Sequence, residues 1–224
     1  MNNHYTTSKG LHLNYSIIAE MIEENARVLD LGCGNGELLK LLKDTKKIKG
    51  NGIEISQNEV IQCLEKGLSV IQGDIDEGLK QFPDKYYDYV ILNQTLQSAQ
   101  NPHYVMEEML RVGKKCIVSF PNFAYWRVRC NFFFTGNMPK SKVLPFEWYD
   151  TPNIHLLTIK DFFEYAKKNN ITILEGIYTT RATIRKGIQY SKFSNLFAEE
   201  AILTADFILS LLTESIEIIV FSFP

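Results

Sequence analysis

Apolar positions along this chain alternate between short continuous runs and one-sided helical spacing, and the two patterns take turns. Ile17, Ile18, Met21 and Ile22 share one face and predict an opening helix. A strand follows over 27–31, then a helix from Glu37 carrying Leu38, Leu39, Leu41 and Leu42. The next strand covers 50–56 with Glu54 at its end, and a helix with Val60, Ile61 and Leu64 stops at Gly67. Residues 68–72 predict a third strand, a short helix ends near Phe82, and 87–92 form a nearly continuous apolar strand. Val105, Met106, Met109 and Leu110 mark a further helix, and 115–120 a fifth strand.

Strands and helices alternating at this spacing predict an α/β fold, a mostly parallel sheet with helices on both faces. No repeat or low-complexity stretch interrupts the order, so 1–224 is expected to be a single domain. From 123 to 158 the periodicity fails, and aromatics, prolines and asparagines take over. Such a segment inside a compact domain reads as a lid or partner-binding insertion. A helix resumes near Ile159 and a strand covers 171–178. The C-terminus has two readings on pattern alone: a last strand near 200–205 with 206–224 as an extension, or a helix over 197–212 followed by a β-branched strand over 215–222.

The net charge is −2 with acids and bases intermixed, which argues against a nucleic-acid partner. No apolar run is long enough to span a bilayer, and the first residues lack an apolar signal core, so no membrane association is expected. Cys33, Cys63, Cys116 and Cys130 have no paired spacing, which predicts neither a zinc site nor a disulfide framework and fits a cytoplasmic setting.

The densest chemistry lies at 28–37, where an apolar strand ends in Asp30 and Gly32, Gly34 and Gly36 alternate before a leucine-rich helix. Glycines let the backbone turn sharply and approach a ligand closely, and the helix start presents free N–H groups. The spacing departs from the dinucleotide pattern Gly-x-Gly-x-x-Gly, and a carboxylate beside the loop would repel a pyrophosphate. S-adenosylmethionine (SAM), or its product S-adenosylhomocysteine, carries an amino group and no phosphate and suits the loop better. Glu54 is placed to take both ribose hydroxyls, and Asp74, at the third strand end, the adenine amino group. Asn93-Gln94 closes the fourth strand where the methyl-donating sulfur would lie, either orienting a polar group or merely capping the turn. The run Asn93-Gln94-Thr95-Leu96 is not that of enzymes that methylate bases.

Other candidates are weaker. His155 is the one histidine of the aromatic segment and a possible general base, although a lone loop histidine is more often a surface residue. Cys33 reads as a small residue that fits its loop. Trp126, Arg127 and Arg129 suggest a lid or partner face, and Phe132-Phe133-Phe134 is either core or a contact surface. No catalytic residue is assigned.

The loop, Glu54 and Asp74 resemble the Rossmann-like class I SAM-dependent methyltransferase fold, a mostly parallel seven-stranded sheet. Longer runs resemble one family within it, the methionine biosynthesis protein MetW. They include Val70-Ile71-Gln72-Gly73-Asp74, Val118-Ser119-Phe120-Pro121-Asn122-Phe123, Trp126-Arg127-Val128-Arg129 and Trp148-Tyr149-Asp150-Thr151-Pro152-Asn153-Ile154-His155-Leu156. The resemblance implies a cytoplasmic protein working beside homoserine O-acyltransferase, with a SAM pocket formed by Asp30, Gly32, Gly34, Gly36, Glu54 and Asp74 and no evident methyl acceptor. It favours the last strand near 200–205.

Overall fold

A computed structural model describes residues 8–140, 144–180, 183–188 and 190–207. The chain opens with α1 (Ser8–Met21), β1 (Arg27–Leu31), α2 (Glu37–Lys46), β2 (Lys49–Glu54), α3 (Gln57–Glu65) and β3 (Ser69–Gln72). It continues with β4 (Tyr87–Asn93), α4 (Pro102–Val112), β5 (Gly113–Pro121), α5 (Trp126–Thr135), α6 (Ile159–Lys168) and β6 (Ile171–Thr179). A short β7 (Ile184–Lys186), α7 (Lys192–Phe197) and β8 (Glu200–Phe207) complete the described chain.

The strands form one sheet in the order β3-β2-β1-β4-β5-β8-β6-β7. The first five pair in parallel, while β8 inserts antiparallel between β5 and β6. From β1 the chain works outward through β2 and β3, then returns to place β4 on the other side of β1. This reversal opens a crevice at the carboxyl ends of β1 and β4, where α/β folds bind ligands.

Alternation along the central strands builds a core on each face. Leu29, Val90, Leu92 and Val118 pack with Met106 and Met109 of α4 and Phe162 of α6. Val28, Tyr89, Ile91 and Ile117 point the other way, against Ile18 and Ile22 of the N-terminal region and Leu38, Leu39 and Leu42 of α2. Burial on both faces explains why these strands read as continuous apolar runs. The helix predicted near Ile159 begins on a capping box: Thr158 accepts from the Asp161 N–H, and Asp161 accepts from the Thr158 N–H.

Three details differ from the sequence reading, and one open alternative is decided. The sheet has eight strands rather than seven, because β7 adds a three-residue hairpin strand whose residues are all exposed and leave no periodic signature. The short helix expected to end near Phe82 is one 3₁₀ turn, Ile75–Glu77, stopped by Gly78 at φ +90°. A Cβ on Gly78 would lie 2.4 Å from the Tyr104 hydroxyl, so the chain cannot simply wind on with another residue there. Within 123–158 the structure contains the ten-residue α5, which buries only Val128 and so lacks an amphipathic stripe. Finally, 200–207 is strand, not helix, as the family resemblance favoured. Residues 200–205 are all buried, a run from which periodicity cannot separate helix from strand. The alternative strand at 215–222 and most of the 206–224 extension lie outside the described residues.

Candidate functional site

The glycine loop leaves β1 and enters α2 as the spacing predicted. Gly32, Gly34 and Gly36 all have positive φ, at +69°, +53° and +77°. At two of them side-chain space is also absent: a Cβ on Gly36 would sit 2.5 Å from Leu68 Cδ1, and one on Gly32 2.7 Å from Thr95 Cγ2. At Gly34 nothing lies within 4 Å, so the middle of the loop faces open space. The Gly32 and Cys33 N–H groups donate to the Ile53 carbonyl at 2.8 and 3.1 Å, tying the loop to the end of β2.

Glu54 ends β2 beneath this loop. One carboxylate oxygen accepts from the Gly34 N–H at 2.8 Å and the other from the Ser56 N–H at 2.9 Å. Each oxygen keeps a lone pair for a further donor. Asp30 is 2% exposed, and its Oδ1 has no hydrogen-bond partner. Burial first, then the neighbouring Glu54 charge, pushes its carboxyl up to about 8. An unpartnered buried carboxyl oxygen costs about 1–3 kcal/mol unless something arrives to satisfy it. An ammonium group would do so and restore the charge. A phosphate would meet two carboxyl groups, and Lys66 beside the loop is already engaged with the Asn35 carbonyl at 2.7 Å. The residues present therefore fit the amino-bearing cofactor and not a pyrophosphate.

Asp74 stands at the end of β3, where its Oδ1 accepts from the Asp76 N–H at 2.9 Å and starts the 3₁₀ turn. Asn93 ends β4, adjacent to β1, and its side-chain oxygen accepts from the Ser119 hydroxyl. All four strand-end residues thus lie along one edge of the sheet.

Tyr15, Asn14 and Glu200 escaped the sequence reading, and the last two cluster with Gln94, which it had named. Tyr15 of α1 comes close enough to Asp30 and Glu37 for their charges, after burial, to raise its phenol. Gln94 takes a left-handed backbone at φ +55°, held by its N–H donating to the Ser119 carbonyl at 3.1 Å. Its amide and that of Asn14 both donate to Glu200 at the start of β8, and burial brings the Glu200 carboxyl up to about 7 despite these bonds. Asn14, Gln94 and Glu200 are too far apart in sequence for any spacing to have linked them.

The 123–158 segment meets this edge through its backbone. The Ile154 and His155 N–H groups donate to the Gln97 carbonyl at 2.9 and 3.0 Å, in the turn after β4. The His155 residue itself is exposed. Cys33 is buried with its thiol pushed up, chiefly by burial and then by Asp30, which leaves it a packing residue rather than a nucleophile. Among the described residues, no cluster of histidine, cysteine and carboxylate side chains is arranged to hold a metal ion. Nor is any helix there long and apolar enough to cross a membrane.

Several solved structures share the fold. A SAM dependent methyltransferase from Archaeoglobus fulgidus matches at TM-score 0.62 and 17% identity, over 89% of this chain and 94% of that one. The PH0226 protein of Pyrococcus horikoshii matches at TM-score 0.67 and 18% identity, over 92% and 96%. The [4+2]-cyclase SpnF matches at TM-score 0.63 and 16% identity, over 92% and 85%. A methyltransferase and a cyclase on one scaffold mean that the fold alone assigns no reaction. In sequence, the chain is 38% identical over 177 residues to a Rhodopirellula baltica protein called bifunctional methionine biosynthesis protein MetXA/MetW. That match takes in 75% of this chain but only 28% of the relative's own length. Residues 12–205 match the family described as methionine biosynthesis protein MetW. The chain belongs to that family.

Proposed function

We propose that this protein is a SAM-binding partner of homoserine O-acyltransferase and adjusts that enzyme's activity in methionine biosynthesis. The observation that carries the partnership is the Rhodopirellula baltica relative, whose name joins MetXA and MetW functions in one chain. Two functions fused in one relative work at high effective concentration, which in separate chains a docking surface must supply. The 123–158 segment offers one: Phe133, Phe134, Trp148 and Tyr149 are 81, 79, 73 and 68% exposed. Aromatic anchors of this size dominate protein interfaces.

The cofactor reading rests on the orphaned Asp30 oxygen, the Glu54 carboxylate and the open space at Gly34. In it Asp30 receives the ammonium, Glu54 the ribose hydroxyls and Asp74 the adenine amino group, while Asn93 faces the sulfur end. SAM is the downstream product of the methionine pathway, so its occupancy would report supply. The Ile154 and His155 bonds to Gln97 connect the aromatic segment to the cofactor edge. Feedback through them requires SAM to bind the free protein and the complex with different affinity.

A second reading, a SAM-dependent methyltransferase acting on a small molecule, is favoured by the Asn14–Gln94–Glu200 cluster. A buried carboxyl titrating near neutrality at the acceptor side suits a proton acceptor. Bound SAM would supply an electrophilic methyl group there. An acyltransferase assay with and without this protein, repeated with SAM, separates the two. Stimulation and a stable complex support the partnership. No effect on a cognate acyltransferase, together with turnover of SAM to S-adenosylhomocysteine with a defined acceptor, replaces it with the methyltransferase reading.

A further inference from the structure

A second concavity lies at the same edge of the sheet but away from the glycine loop. It is a cleft of about 360 Å³ between α5, the β6–β7 hairpin and α7. β6 stands four strand positions from β1, about 19 Å at ordinary strand spacing. The cleft shares no residue with the cofactor site described above. Its volume is in the range of small-molecule sites.

Its walls carry both signs of charge and apolar rings. The Arg185 side chain has no ion pair or hydrogen bond among the described residues, although its backbone pairs with Tyr178, and Arg127 has no carboxylate partner there. The Arg127 guanidinium lies over the Trp126 ring, 5.3 Å from its centroid, which orients it without neutralising it. Glu199, 9% exposed, supplies the opposite sign. It is bonded to the Tyr125 hydroxyl, and a carboxylate accommodates further donors. Its backbone is pinned, with its N–H donating to the Thr179 carbonyl at 2.9 Å and its carbonyl accepting from the Asn122 N–H at 2.9 Å. Phe193 and Phe197 of α7 stack with ring centroids 6.3 Å apart and give the cleft an apolar wall. Tyr178 lines the same cleft, and its buried hydroxyl has no partner.

Among the described residues, a simple anion would meet Glu199, and a simple cation would meet two arginines. A ligand with both charges and an apolar tail satisfies all three surfaces. We propose that this cleft binds an α-amino acid with an apolar side chain. Its carboxylate pairs with Arg127 and Arg185, its ammonium with Glu199, and its side chain packs on the phenylalanine rings. The inference is independent of the acyltransferase partnership.

The test is calorimetric titration of the full chain, saturated with S-adenosylhomocysteine, using L-norleucine and L-methionine. Hexanoate and pentylamine serve as probes lacking one charge. Saturable binding of the amino acids is expected, with both single-charge probes about tenfold weaker or worse. Arg185→Ala and Glu199→Gln should each weaken amino-acid binding about tenfold while thermal unfolding and S-adenosylhomocysteine affinity stay unchanged. Absence of saturable amino-acid binding overturns the proposal, as does unaltered affinity in both variants. Displacement of S-adenosylhomocysteine by the amino acid also overturns it, because the ligand would then sit in the cofactor loop. If Arg185→Ala leaves amino-acid titrations blank as in the parent but abolishes acyltransferase binding, the cleft is a protein interface and the proposal falls. Amino-acid binding by a chain that ignores S-adenosylhomocysteine upholds the cleft and counts against the cofactor reading instead.

Discussion

Replacing Asp30 by asparagine removes a buried titratable carboxyl while keeping the side chain's shape. Asp30 rises from an ordinary 3.8 to about 8, through burial and then the Glu54 charge. The folded protein therefore holds a proton that the unfolded chain has released across that window. With more protons bound to the folded state, stability falls as pH climbs from about 4 to about 8. At pH 7 the loss spans about three pH units, and at about 1.4 kcal/mol per unit it reaches about 4 kcal/mol. Asp30→Asn should be relieved of this loss, so its advantage over the parent should grow between pH 5 and 8 in urea unfolding. Glu200, pushed up to about 7, contributes in the same direction, but both proteins carry it and it cancels in the difference. The same carboxyl governs binding. At pH 7 about nine-tenths of the free protein carries the Asp30 proton. An ammonium ligand should expel it, so calorimetry in buffers of different ionisation enthalpy should find close to one proton released per SAM. The variant should release none and bind about ten- to a hundredfold more weakly, the worth of a hydrogen bond to a charged group. Parallel pH–stability curves for the two proteins, with SAM bound and no proton released, would refute the argument: Asp30 would then be ionised in the fold.

Four further outcomes are expected. Gly36→Ala combines a φ of +77° with a Cβ 2.5 Å from Leu68 and 2.8 Å from Cys63, and should cost about 2–4 kcal/mol in denaturant unfolding. Gly34→Ala meets nothing within 4 Å, so it should cost only about 1 kcal/mol of backbone strain yet weaken SAM binding measurably more than that by narrowing the loop mouth. Trp148→Ala, at a 73% exposed position, should leave thermal unfolding unchanged while lowering acyltransferase affinity about tenfold or more; unchanged affinity removes the aromatic segment from the interface. Asn122, 1% exposed, donates to the Asn195 and Ala198 carbonyls and accepts from the Ala124 and Ile159 N–H groups. Asn122→Ala strands those groups and should cost about 3 kcal/mol, read as a lowered urea midpoint.

The order of elements was legible because each signal is local. Strand β1 announces itself in five residues, and α2 in the spacing of its leucines. The glycine loop between them is a covalent neighbour of Asp30, so spacing alone places the acid beside the turn. Glu54 and Asp74 were legible for the same reason, as acids closing successive strands. α5 and β7 were not, since one buries a single side chain and the other none, and periodicity reports only elements that face a core.

What tertiary structure decided is environment and company. Nothing in Val28-Leu29-Asp30 says that the Asp30 oxygen ends without a partner, because that depends on β2 bringing Glu54 alongside and α1 bringing Tyr15 over it. The Asn14–Gln94–Glu200 cluster joins α1, the end of β4 and the start of β8, and the amino-acid cleft joins α5, β6, β7 and α7. A sequence pattern records which residues are apolar and how they are spaced along one element. Burial of a charge and convergence of distant side chains arise only when separate elements pack, since desolvation and Coulomb interaction depend on distance in space and not along the chain.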